Sequence, residues 1–195
     1  MTNLPANPLS RIIAQAGRAL PTSGGEASRL AARANPGGPQ LILADTSGSM
    51  SERAWGRHTR IGLLREAVDA LAGRGHRLIA FAAAPVLDPP SIPAAAGGTA
   101  LHLALDLAAT LRPSRTLVIS DGEPDDESAA LAAAARLTGY IDTLYIGPET
   151  SRSAMDFLRR LAAAGGGRYA RADLTRPQAS LTGPIVALLG YRGAP

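Results

Sequence analysis

Short unbroken apolar runs, each followed by a stretch with apolar residues at helical spacing, recur along residues 40–189. This alternation constrains the fold more than any other feature, because a strand apolar on both faces must be covered on both. Strands are expected at Leu41–Ala44, Leu78–Ala82, Leu117–Ser120, Ile141–Ile146 and Tyr169–Ala170, with a short edge strand at Pro85–Leu87. Between them, Ile61, Leu64, Val68 and Leu71 form one helical stripe, and Leu101, Leu105, Ala108 and Leu111 form another that stops at Pro113. Further helices are expected over Asp126–Leu137, Ser151–Ala164 and Gln178–Leu189. The pattern predicts an α/β fold: a doubly wound, mainly parallel sheet with helices on both faces and one short antiparallel edge strand.

Ahead of this domain, 40–195, residues 1–39 read as an N-terminal extension with short helices. Leu9, Ile12, Ile13, Ala16 and Leu20 fall on one helical face, and a second piece spans Ala27–Ala34. The whole chain has 195 residues, enough for one well-buried domain. No internal repeat is visible.

Composition removes much conventional chemistry. The chain has no cysteine, so disulfide scaffolds, thiolate zinc sites, iron–sulfur clusters and cysteine nucleophiles are excluded. All 20 cationic side chains are arginine. That excludes a P-loop lysine, a Schiff-base lysine and a lysine general base. The net charge of +4 is misleading, because residues 1–39 hold four arginines and one acid, whereas 40–195 hold 16 arginines and 15 acids. A near-neutral core with seven aromatic residues argues against a nucleic-acid surface. The longest apolar stretch, Leu78–Leu87, contains Pro85 and is half the roughly 20 residues needed to span a bilayer. Without a charged-then-apolar leader, a cytoplasmic location with no membrane partner is expected.

In a doubly wound sheet, ligands bind beyond the carboxyl ends of the strands, where the strand order reverses. The first strand is followed by Asp45-Thr46-Ser47-Gly48-Ser49, the fourth by Asp121-Gly122, and Gly97-Gly98-Thr99 precedes a helix between them. Alternate spacing points Asp45, Ser47 and Ser49 to one side of an extended backbone. Gly48 permits a tight turn, and Gly97-Gly98 a close approach of the second loop. Facing carboxylates repel unless a cation lies between them. Oxygen donors without cysteine or an imidazole pattern favour a hard divalent ion: magnesium, manganese or calcium. Such an ion, with two carboxylates to balance its charge, would take a further carboxylate from outside.

The set Asp45-x-Ser47-x-Ser49, Thr99 and Asp121-Gly122, at intervals of 50 and 22 residues, resembles the metal-ion-dependent adhesion site (MIDAS) of von Willebrand factor A (vWA) domains. The resemblance covers roughly residues 40–190. The stretch Val118-Ile119-Ser120-Asp121-Gly122-Glu123-Pro124 is similar to intracellular bacterial vWA proteins, including those of tellurite-resistance and stress-response loci. The resemblance implies direct metal contacts from Ser47, Ser49 and Thr99, contacts through water from Asp45 and Asp121, and an acidic residue of a partner protein completing the shell. It also implies bacterial complexes that include an AAA+ ATPase, or a kinase and phosphatase pair.

Each feature has a plainer use. The serine motif suits a helix cap, and Thr99 an N-cap for the Leu101 helix. Glu123, Asp125, Asp126 and Glu127 suit the first turn of a helix, where negative charge is favoured. Trp55, with Arg57 and His58, suits either an interface anchor or a cover over its own loop. Arg152, Arg159, Arg160 and Arg168 read as a solvated face, and the three histidines, His58, His76 and His102, share no zinc-site spacing.

Together these features describe a non-enzymatic, metal-dependent protein-interaction module with no catalytic residues. A magnesium-dependent phosphohydrolase with Asp45 as nucleophile is an alternative, but it wants an acid where Ser47 stands and a downstream lysine. A serine hydrolase lacks its Gly-x-Ser-x-Gly elbow and any histidine after Asp121. RNA binding is a further alternative, which the near-neutral core disfavours.

Overall fold

A computed structural model of the chain describes residues 37–190. The expected helices within residues 1–34 lie outside the described residues. Six strands form one sheet: β1 Gln40–Asp45, β2 His76–Phe81, β3 Pro85–Leu87, β4 Arg115–Ser120, β5 Tyr140–Tyr145 and β6 Gly166–Arg171. Their order is β3-β2-β1-β4-β5-β6. Neighbours are parallel throughout, except β3, which pairs antiparallel with β2 through Ile79–Leu87 and Phe81–Pro85. A three-residue strand beginning with proline blunts that edge against further pairing.

Strand alternation divides the core in two. Leu41, Leu43 and Val118 face α2 (Leu101–Thr110), α3 (Glu127–Ala134) and α4 (Arg152–Ala164). Ile42, Ala44, Leu117 and Ile119 face α1 (Arg60–Asp69) and α5 (Thr182–Leu189). The sheet is therefore doubly wound, as its continuous apolar strands require. Among the described residues no helix is long and apolar enough to cross a membrane.

Local chemistry sets the helix ends. Thr59 caps α1 by accepting from the Gly62 N–H at 3.2 Å, and Asp126 caps α3 by accepting from the Ala129 N–H at 2.8 Å. That interaction, with the Ser128 hydroxyl, holds the Asp126 carboxyl below the usual carboxylate range. The last helix is shorter than the spacing predicts: Gln178 sits at φ 65°, a left-handed conformation no α-helix can include, and α5 starts only at Thr182.

The amino ends of the strands carry a closed ionic cluster. Asp142 of β5 is fully buried, pairs with Arg115 of β4 and accepts from the Arg168 N–H at 2.6 Å. The Arg115 guanidinium also reaches the Leu188 carbonyl at 3.2 Å, and that of Arg168 the Ala187 carbonyl at 3.2 Å. Both arginines thus satisfy open carbonyls at the end of α5, where cations are favoured. Arg168 is exposed, as a solvated face requires, and its head group is also tied to Asp142 and α5.

Candidate metal centre

The strand order reverses between β1 and β4, since β1 continues to β2 on one side while β4 and β5 extend the other. Asp45 ends β1, and Asp121 follows the last residue of β4. Both carboxylates therefore stand at the crevice where such sheets bind ligands.

Asp45 is fully buried, with both oxygens engaged. Its Oδ1 accepts from the Ser47 N–H at 2.7 Å, and its Oδ2 from the Ser120 hydroxyl at 2.5 Å. Burial pushes its carboxyl up to about 6; the Ser120 and Ser47 hydrogen bonds oppose the rise and the nearby Asp121 charge adds to it. From the Ser47 hydroxyl a chain of oxygens crosses the crevice. The Ser47 and Ser49 hydroxyls lie 3.2 Å apart, and Ser49 donates to Asp121 Oδ1 at 2.7 Å. Ser47 precedes a 3-10 turn, Gly48–Ser51, yet makes no side-chain cap bond. Its hydroxyl is thus left to this chain rather than to a helix terminus.

Asp121 has a cation already. Arg60, 8% exposed, donates from Nη1 to Asp121 Oδ2 at 2.6 Å and to the Ser49 carbonyl at 3.2 Å. Its Nη2 lies 2.8 Å from Glu52 Oε2. Sequence reasoning missed this arginine. A signal existed: Arg60 opens a helix, the end whose dipole disfavours cations, so its presence there asks for an acidic partner. It missed Ser120 as well, whose hydroxyl fixes Asp45.

The third loop is carried to the same edge by its backbone. The Ala96 N–H donates to the Thr46 carbonyl at 2.9 Å, and the Gly48 N–H to the Gly97 carbonyl at 3.1 Å. Asp125 then straps the loop, because both its carboxylate oxygens accept from the Thr99 N–H, at 3.0 and 2.9 Å. Its own N–H returns a bond to the Thr99 carbonyl at 3.0 Å. A Cβ on Gly98 would come within 2.7 Å of Asp125 Oδ2, and Gly97 sits at φ 77°, so this pair needs its glycines. Gly48 does not: a Cβ there would meet nothing nearer than 3.5 Å, and its φ is not positive.

Thr99 is half-buried, and its hydroxyl does not join the Ser47–Ser49–Asp121 chain. Nor does it cap α2, whose N-cap is Ala100 with no side-chain bond. The acidic stretch also divides. Asp126 and Glu127 serve the start of α3, whereas Asp125 serves the Thr99 loop and Glu123 bonds Ser153. Trp55 packs on the α1-side core and stacks on His58 with ring centroids 4.4 Å apart, which makes it a cover over its loop.

The donor set fits a hard divalent cation: two carboxylates and two linked hydroxyls gathered at one crevice, a third hydroxyl on the adjoining loop, and no sulfur. Among the described residues no three His, Cys, Asp or Glu side chains cluster for a metal, so a site here depends on the hydroxyls. Compared with known proteins, the chain matches no family model and no curated sequence.

Proposed function

We propose that the chain is a non-enzymatic interaction module of the vWA kind, which binds a divalent cation, magnesium first, and through it an acidic residue of a partner protein. The observation that supports this reading is the run of contacts at the strand-order reversal: Asp45 accepts from the Ser47 N–H, and the Ser47 hydroxyl leads through that of Ser49 to Asp121. Ser47, Ser49, Thr99, Asp45 and Asp121 would hold the ion, whose chemistry is to offer an outside carboxylate a hard, Lewis-acidic position.

The protein's part is orientation. Ser120 and the Ser47 N–H fix the Asp45 carboxylate, and Asp125 fixes the loop carrying Thr99. Ser49, unlike Asp45 and Asp121, is exposed, so the site opens to solvent on the side a partner would approach. Cytoplasmic bacterial complexes with an AAA+ ATPase or a kinase and phosphatase pair are the settings this reading proposes. The phosphohydrolase reading gains nothing from the geometry: a fully buried Asp45 with both oxygens engaged is a poor nucleophile.

Calorimetric titration of the metal-free chain with magnesium tests the reading. One-site binding is expected, weakened at least tenfold in Ser49→Ala and in Asp45→Asn. Wild-type and variant chains that take up no magnesium at tens of millimolar would overturn it.

A further inference from the structure

The Arg60–Asp121 pair stands where a cation would sit, and it has consequences for the proposed site. Both oxygens of Asp121 are engaged, Oδ1 by Ser49 and Oδ2 by the guanidinium. A second cation at that carboxylate would lie within a few ångströms of the first, in a crevice where water screens little. We propose that Arg60 is the resident cation of this site: it competes with the divalent ion for Asp121, and ion binding releases the guanidinium. This inference rests on the metal reading above.

Three features make release feasible. The guanidinium is divided between two acids of unlike setting, Asp121 with a fully buried side chain and Glu52 with one 61% exposed. The Arg60 N–H is bonded to the Glu52 carbonyl at 3.1 Å, so these two residues stay together when the head group moves. Arg60 also lines a small open pocket of about 40 Å³ with Arg53, Ala54, Ile146, Pro148, Leu174 and Thr175, so its side chain is not packed on every side. A guanidinium left in the crevice without Asp121 would be an uncompensated buried charge, so release means movement out to Glu52 and water. The arrangement keeps Asp121 neutralised while the site is free of metal. It also sets an affinity lower than the oxygen donors alone would give.

The test is magnesium titration of the full chain, wild type beside Arg60→Gln. Removing the competitor should tighten magnesium binding about tenfold, an ordinary size for coupling between two binding events. A second measurement needs no variant: in nitrogen-15 spectra of wild type, the Arg60 guanidinium should give slowly rotating Nη signals without metal and lose them at magnesium saturation. Wild-type binding that Arg60→Gln leaves equal or weakens, or Nη signals that persist at saturation, would overturn the competition while leaving the metal site standing. Absence of magnesium binding in both chains would overturn the metal reading itself, and the competition with it.

Discussion

The Ser120 hydroxyl, at the end of β4, donates to Oδ2 of Asp45, at the end of β1, across 2.5 Å. This bond spans the seam where the strand order reverses, and it orients a carboxylate that has no contact with solvent.

Burial raises the Asp45 carboxyl to about 6, from 3.8 in an unfolded chain. The metal-free folded state then holds more protons than the unfolded one between those values. The stability that protonation contributes is full below pH 3.8 and is lost as pH rises through 6. At roughly 1.4 kcal/mol per unit, the loss reaches about 3 kcal/mol. Asp45→Asn should abolish it. Urea denaturation in chelator, from pH 4 to 7.5, should show the variant gaining on wild type across pH 4–6.5; a difference flat with pH would refute this.

Asp125→Ala should separate site geometry from stability. Asp125 is exposed, so its loss should cost no more than about 1 kcal/mol. The Thr99 N–H, however, loses both its acceptors. Differential scanning fluorimetry should find a melting temperature near wild type with a smaller rise on adding magnesium. An undiminished rise would remove Asp125 from the site.

Gly147 backs the Asp121 loop. A Cβ there would lie 2.2 Å from the Asp121 carbonyl oxygen and 2.4 Å from the Tyr145 hydroxyl. Since the first contact is backbone, Gly147→Ala must displace the loop, at a cost of about 2 kcal/mol or more. Loss of magnesium binding should accompany a lower urea midpoint. A crystal structure of the variant with Asp121 unmoved would contradict this.

At the opposite edge, Asp142→Ala removes the acid that Arg115 and the Arg168 backbone share. The guanidinium groups left behind are partly solvated, Arg115 at 26% and Arg168 at 56% exposed, so the cost is that of the lost hydrogen bonds to a charged group, about 1–3 kcal/mol. Equilibrium unfolding should register that loss, while magnesium affinity of the folded fraction stays as in wild type.

The fold was legible because two-sided apolar strands such as Leu41–Ala44 permit few alternatives, and even the antiparallel Pro85–Leu87 edge follows from its brevity and its proline. The gathering of Asp45, Ser47, Ser49 and Asp121 at one edge was legible because their strands end there. What pairs with them was not. Arg60 follows Asp45 by 15 positions on a different element, and only packing brings it to Asp121. The start of the last helix was misjudged for a local reason: Gln178 adopts a left-handed backbone conformation that side-chain spacing does not encode. Thr99 looked like a cap because threonine favours that role, but its residue stands one place ahead of the N-cap, Ala100.

The two ends of the sheet are unequally balanced. Asp142 pairs with two guanidinium groups, whereas Asp121 has one, which Glu52 also draws on, and Asp45 is held by a hydroxyl and an N–H. Above pH 6 the Asp45 carboxylate therefore has no cation of its own, and below it a proton takes that place. Magnesium taken up near that pH should displace this proton, so the heat of uptake should vary with the ionisation enthalpy of the buffer.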